Sequence, residues 1–152
     1  KNIFKNKYVN PDHSREETEK ASVTHANTLA EAGIFIFLKG YECREASGNV
    51  DLYFETNEIF HVFEIKSWAA KIHNRTRDGL IKILEYTYQN KETLFKKKKC
   101  EMNLLFSKNP INSFNVYPHL IGLMKNLNIG LCYMQDKKIV WHREFKSYDP
   151  FN

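Results

Sequence analysis

Two short extended segments, separated by a tight turn, constrain this chain more than any other feature. Val50 to Glu55 and Ile59 to Ser67 are rich in β-branched and aromatic residues, and Thr56-Asn57 between them leaves room only for a reversal. The pair reads as a β-hairpin. Side chains alternate across a strand, so Asp51, Tyr53 and Glu55 share one face of the first segment. Phe60, Val62, Glu64 and Lys66 share one face of the second. A charged pair closing an otherwise apolar strand is unusual, because buried charge is costly unless it is paired or metal-bound. Two carboxylates, Asp51 and Glu64, and one ammonium, Lys66, are therefore expected to gather on one sheet face.

That grouping has a definite chemistry. Mg²⁺ prefers oxygen ligands, is usually held by one or two carboxylates, and keeps several waters. Asp51 and Glu64 supply anionic oxygens, and the Ile65 backbone carbonyl can add a third. A metal so held polarises a phosphate and makes a bound water more acidic. Lys66, two residues past Glu64, points the same way. Its ammonium can orient the attacking water, offset charge on the pentavalent transition state, or serve as a base. The expected reaction is phosphodiester hydrolysis with Mg²⁺, for which Mn²⁺ can substitute.

The rest of the chain supplies a scaffold. Residues 1–10 read as a flexible lead-in. Pro11, Asp12 and Ser14 open a helix expected to run to Ala32, with Glu16, Glu17 and Glu19 near its positive end and Gly33 as its stop. Ile34 to Leu38 is an apolar, β-branched and aromatic run, expected to be a buried strand. Residues 76–90 form a helix with the stripe Leu80, Ile83, Leu84 and Thr87. Met102 to Ser107 reads as a strand and Pro118 to Asn126 as a helix. Ile129 to Met134 and Ile139 to Phe145 read as a hairpin around Gln135-Asp136-Lys137. The order is helix, three strands, helix, strand, helix, two strands. It predicts an α/β fold, a mixed β-sheet flanked by α-helices, as one domain over 1–152.

Composition narrows the setting. A formal charge of +5 suits a polyanionic partner. Three cysteines without a Cys-x-x-Cys speak against a disulfide framework or a zinc site, and for a reducing, cytoplasmic interior. No apolar run approaches the roughly 20 residues a membrane span needs, and there is no signal-peptide pattern. Lys1 in place of a methionine suggests a trimmed chain or a piece of a longer one. The six histidines lack zinc spacing, and His25 and His61 are expected to pack or face solvent. Tyr86, Tyr88, Trp68 and Trp141 are expected in the core. A Gly-rich phosphate loop is missing from the sequence, which argues against nucleotide hydrolysis.

The stretch from Gly48 to Tyr86 resembles the PD-(D/E)XK nuclease superfamily, which includes restriction endonucleases, Holliday junction resolvases and repair nucleases. Asp51 matches its strand-borne Asp, and Glu64-Ile65-Lys66 matches its (D/E)-x-K. Arg77-Asp78-Gly79-Leu80-Ile81-Lys82-Ile83-Leu84-Glu85-Tyr86 is similar to the family helix that reads Arg-Asp-Ala-Ile-Gly-Gln-Leu-Leu-Glu-Tyr. Val50 replaces the usual proline, and Lys82 stands where the glutamine would be.

The resemblance implies a restriction-endonuclease-like fold and a Mg²⁺-dependent DNA endonuclease. Asp51, Glu64 and Lys66 would be catalytic, and Asp51, Glu64 and the Ile65 carbonyl would hold the metal. An acidic residue on the first helix would complete the metal site, with Glu19 as the candidate and Glu16 and Glu31 as rivals. Lys82, Tyr86, Arg75 and Arg77 would meet the nucleic acid, with Lys71 and His73 on the connecting loop beside them. The basic run Lys96 to Lys99 would act as a nonspecific clamp. The sequence shows no base-reading element, which points to a cleavage domain or subunit of a restriction-type enzyme, working with a recognition partner or as a homodimer. The expected setting is the cytoplasm of a prokaryote or a phage-infected cell. The alternatives are a resolvase or repair nuclease on branched DNA, and an inactive nuclease-derived DNA-binding module. An RNA endonuclease ranks behind these because no histidine can be assigned as its additional ligand.

Overall fold

The computed structural model describes residues 11–45, 50–67, 72–145 and 150–151; the side chains of 11–19 and 21 lie outside that description. The expected lead-in 1–10, Trp68 and Lys71 also fall outside the described residues.

Helix α1 spans Pro11–Leu38, six residues past the predicted stop at Ala32. The run Ile34 to Leu38 is helical, which corrects the expected strand. Burial shows why: Thr28, Ala32 and Ile36 are buried at four-residue intervals, while Ile34, Phe37 and Leu38 are exposed. That is a helical period, and one-sided packing overrides the strand preference of β-branched and aromatic side chains. The stop is Gly40, at φ +93°, not Gly33. The Gly40 N–H donates to the Phe37 carbonyl at 2.9 Å and the Tyr41 N–H to the Ile36 carbonyl at 3.3 Å. This is the paired bonding of a Schellman cap, and its left-handed residue favours glycine.

The first strand, β1, is Cys43–Glu45. It is followed by β2 (Leu52–Glu55) and β3 (Ile59–Lys66), the hairpin read from the sequence. Helix α2 is Ile72–Asn90 and leads to β4, Lys99–Phe106. Two helices follow, α3 (Ile111–Phe114), which the sequence reading missed, and α4 (Pro118–Asn126). Strands β5 (Ile129–Gln135) and β6 (Lys138–Trp141) close the sheet. Asp136 and Lys137 both have positive φ, the two-residue turn whose twist suits a hairpin. Arg143–Phe145 is a 3-10 turn, so the last strand is shorter than predicted.

The six strands lie in chain order, β1 to β6. The outer pairings β1–β2, β2–β3 and β5–β6 are antiparallel, while β3–β4 and β4–β5 are parallel. Parallel neighbours need a crossover, and α2 provides it between β3 and β4. The result is a mixed sheet with helices on both faces. Phe60, Val62, Leu104 and Leu131 pack against Leu80, Ile83 and Tyr86 of α2 and Leu120 and Met124 of α4. On the other face Leu52, Phe54, Phe63, Ile65 and Trp141 pack with Ala32 and Ile36 of α1. Each fully buried Leu, Ile or Phe contributes about 1.5–3 kcal/mol, so the two layers hold β3 firmly from above and below. Tyr88, expected in the core, is 81 % exposed, because it falls on the solvent side of α2. No described helix is long and apolar enough to cross a membrane.

Candidate functional site

The alternation of β3 sets the geometry. Phe63 and Ile65 point to the α1 layer, whereas Phe60 and Val62 point to the α2 layer. Glu64 and Lys66 continue the α2-facing set, at the carboxyl end of the strand. They are 4 % and 7 % exposed. Asp51 lies in the bend just before β2, where the register Leu52↔Phe63 puts it across from Glu64. Its N–H donates to the Phe63 carbonyl at 3.2 Å.

The Asp51 carboxylate is fixed at both oxygens. Oδ2 accepts the Ile65 N–H at 2.7 Å, and Oδ1 lies 3.2 Å from Nε2 of His25 on α1. Burial pushes the Asp51 carboxyl up, but the bonds from His25 and Ile65 and the charges of His25 and Lys66 outweigh it and hold the group below its ordinary range. His25 moves the other way: its bond to Asp51 raises the imidazole above 6.5, against the effect of partial burial. A strand residue's N–H and C=O point to the same neighbour, so the Ile65 carbonyl also faces the side where Asp51 sits.

Glu64 is the strained member. Burial and then the nearby Asp51 carboxylate push it from 4.5 up to about 7, against the opposing pull of Lys66 and Lys82. The Lys66 ammonium lies 3.5 Å from Glu64 Oε1 and 3.3 Å from Asp78 Oδ2. Asp78, on the first turns of α2, also lies 3.3 Å from Lys82 Nζ, one helical turn on. Partial burial works against it, yet the bonds from Lys82 and Lys66 hold Asp78 below the ordinary carboxylate range. Gly79 lets α2 come this close. A Cβ there would stand 2.8 Å from Lys66 Cε and 3.2 Å from Leu104 Cδ2.

The donor chemistry fits a hard divalent cation. Asp51, in the bend before β2, and Glu64 on β3 are near enough for the Asp51 charge to raise Glu64, and a cation bound by both would relieve that repulsion. Among the described residues no three His, Cys, Asp or Glu side chains gather into a ready ligand set. Backbone, water and substrate oxygens would fill the remaining positions, as Mg²⁺ usually has them.

The structure thus pairs Lys66 with Glu64 and joins Lys82 to them through Asp78, while Asp51 lies within electrostatic reach of Glu64 and Lys66. Tyr86 is 7 % exposed and packs edge-on against Phe95 at 5.9 Å, so its ring serves the core rather than a nucleic-acid surface. Arg75 is half-buried and Arg77 exposed. The Glu19 and Glu16 side chains lie outside the described residues, and Glu31 is half-buried on α1. The lysine run is remote: Lys98 pairs with Glu55, and Lys99 sits beside Ile59 at the opposite end of β3. Lys66 is the seventh residue after Ile59, about 23 Å along the strand.

Sequence reasoning missed His25, Asp78 and Gly79. His25 lies seven residues before Ala32 and eleven before Ile36, on the sheet-facing stripe of α1, so helical spacing carried the signal.

No protein-family model and no curated protein sequence matches this chain. Among solved structures it is similar to the crystal structure of an XisH family protein from Nostoc punctiforme. The TM-score is 0.52 at 9 % identity, over 75 % of this chain and 97 % of that one. The likeness is one of fold.

Proposed function

We propose that the chain is a Mg²⁺-dependent DNA endonuclease of PD-(D/E)XK type, acting as the cleavage domain or subunit of a restriction-type system. One observation carries this reading: at the open end of the hairpin a buried lysine ammonium lies 3.5 Å from Glu64, and the Asp51 carboxylate is near enough to raise Glu64. Buried charge is expensive, and Glu64 and Lys66 are both buried with the half-buried Asp51 beside them, a grouping typical of functional sites. When held by Asp51, Glu64 and the Ile65 carbonyl, Mg²⁺ would polarise the scissile phosphate and make a bound water more acidic.

The chain's own residues do the rest. Ile65 N–H and His25 fix the Asp51 carboxylate. Glu64 and Asp78 position the Lys66 ammonium, which offsets charge as the phosphorane forms. Lys82, Arg75 and Arg77 on α2 offer charge to the flanking phosphates. The test is cleavage of supercoiled and linear duplex DNA with Mg²⁺ or Mn²⁺, with a four-way junction in parallel. Duplex cutting that disappears in Asp51→Ala supports the reading. Preference for the junction moves it to a resolvase, and binding without cutting under every metal and partner condition makes the chain an inactive binding module.

One observation favours a second reading. His25 beside Asp51 supplies the histidine whose absence set an RNA endonuclease aside. Preferential cleavage of single-stranded RNA, lost in His25→Ala, would select it.

A further inference from the structure

A second cluster lies at the start of α2, away from the carboxylates. His73 on the first turn of α2 and His119 on the first turn of α4 place their Nε2 atoms 3.3 Å apart. We propose that these two side chains form a site for a borderline divalent transition metal, of the Zn²⁺, Ni²⁺ and Cu²⁺ class.

Distance is the first argument. With metal–nitrogen bonds of about 2.0–2.1 Å and a tetrahedral angle, two ligating imidazole nitrogens stand about 3.3 Å apart. The separation here already has that value. Preorganisation is the second. The Tyr117 ring stacks on His73 at 4.7 Å, with the planes 15° apart, and meets His119 edge-on at 6.2 Å. Pro118 at the start of α4 fixes the backbone between Tyr117 and His119. The rings cross at 75° rather than stacking, and a small tilt of each would turn both Nε2 atoms from one another toward a shared ion. Little side-chain entropy is left to lose on binding.

Donor type separates this site from the first. Imidazole nitrogen suits Zn²⁺, Ni²⁺ and Cu²⁺ and discriminates against Mg²⁺, which prefers oxygen. His119 is exposed and His73 half-buried, so water can complete the coordination. Gly79 is the sixth residue after His73 along α2, about 9 Å of helix. A metal here would tie the start of α2 to α4 and stiffen the helix that carries Asp78 and Gly79 against Lys66. The proposal does not depend on the nuclease reading.

The test is calorimetric titration of the whole chain with Ni²⁺ in excess Mg²⁺, which occupies any oxygen site. The expected result is one equivalent bound, with affinity lowered at least about tenfold in His119→Ala and in His73→Ala, and unchanged in His142→Ala. Zn²⁺ should shift the imidazole nitrogen resonances of His73 and His119 together. A smaller loss in both variants, or no uptake by the wild-type chain, overturns the proposal and leaves one ring hydrogen-bonded to the other. His119 is exposed, so its replacement does not put the fold at risk.

Discussion

Nε2 of His25 stands 3.2 Å from Oδ1 of Asp51, so the long first helix closes on the carboxylate that precedes β2. Asp51 is thereby held by two elements from different parts of the chain, α1 through His25 and β3 through the Ile65 N–H. A carboxylate gripped in this way keeps its charge and its direction.

The His25 contact carries a pH signature. The imidazole is raised above 6.5 mainly by the Asp51 bond, so its stabilising effect is full below about pH 6.5 and fades as pH rises through the folded value. Denaturant unfolding of wild type against His25→Ala should show a larger gap near pH 5.5 than near pH 8. The side chain is 35 % exposed, so the gap is expected below about 1 kcal/mol. An equal gap at both pH values would remove the pairing.

Glu64 is raised from 4.5 to about 7, first by burial and then by Asp51. A folded-state value above the unfolded one gives stability that is present below about pH 4.5 and lost as pH climbs to about 7. Wild type should therefore lose up to about 3 kcal/mol against Glu64→Gln over that window. Mg²⁺ added above pH 7 should restore stability to wild type and not to the variant. Parallel pH curves for the two proteins would contradict the burial argument.

Gly79→Ala places a methyl group 2.8 Å from Lys66 Cε and 3.2 Å from Leu104 Cδ2. Lys66 is tethered by Glu64 and Asp78, so the ammonium must move or α2 must lift. Cleavage should drop at least about tenfold, while the gain in helix propensity keeps the stability change within about 1 kcal/mol. Full activity in this variant would show that the position of Lys66 is not critical.

Lys66→Met keeps much of the buried stem and removes the charge. DNA affinity should change little, since the flanking phosphates are met by exposed residues, and the cutting rate should fall by about 10²–10³-fold. Gel-shift and nicking assays on one preparation separate the two effects. A rate near wild type would take Lys66 out of the chemistry.

The hairpin was legible because its alternation is strict: Phe60, Val62, Glu64 and Lys66 face one layer and Phe63 and Ile65 the other. Helix α4 was legible from Pro118 at its start. The segment 34–38 was not, because a short apolar run carries no period of its own. Only the buried pair Ala32 and Ile36 reveals its helical phase. Gly33 drew the helix stop too early, since a glycine marks a cap only where the chain needs positive φ, and that need arises at Gly40. At the site, the positions of Glu64 and Lys66 could be read from strand phase, whereas Asp51, expected on the strand, stands in the bend before β2. Helical spacing put His25 on the sheet-facing side of α1, but that it meets Asp51, and that Asp78 meets Lys66, is set by how the helices pack and could not be read.

A crystal soaked in Mn²⁺ addresses the metal site directly. Anomalous scattering should show an ion between the Asp51 and Glu64 carboxylates, with Lys66 beside it and no ion there in Asp51→Ala. A chain that cuts DNA while its Mn²⁺ sits elsewhere, or that holds none between these two carboxylates at saturating metal, would contradict the assignment.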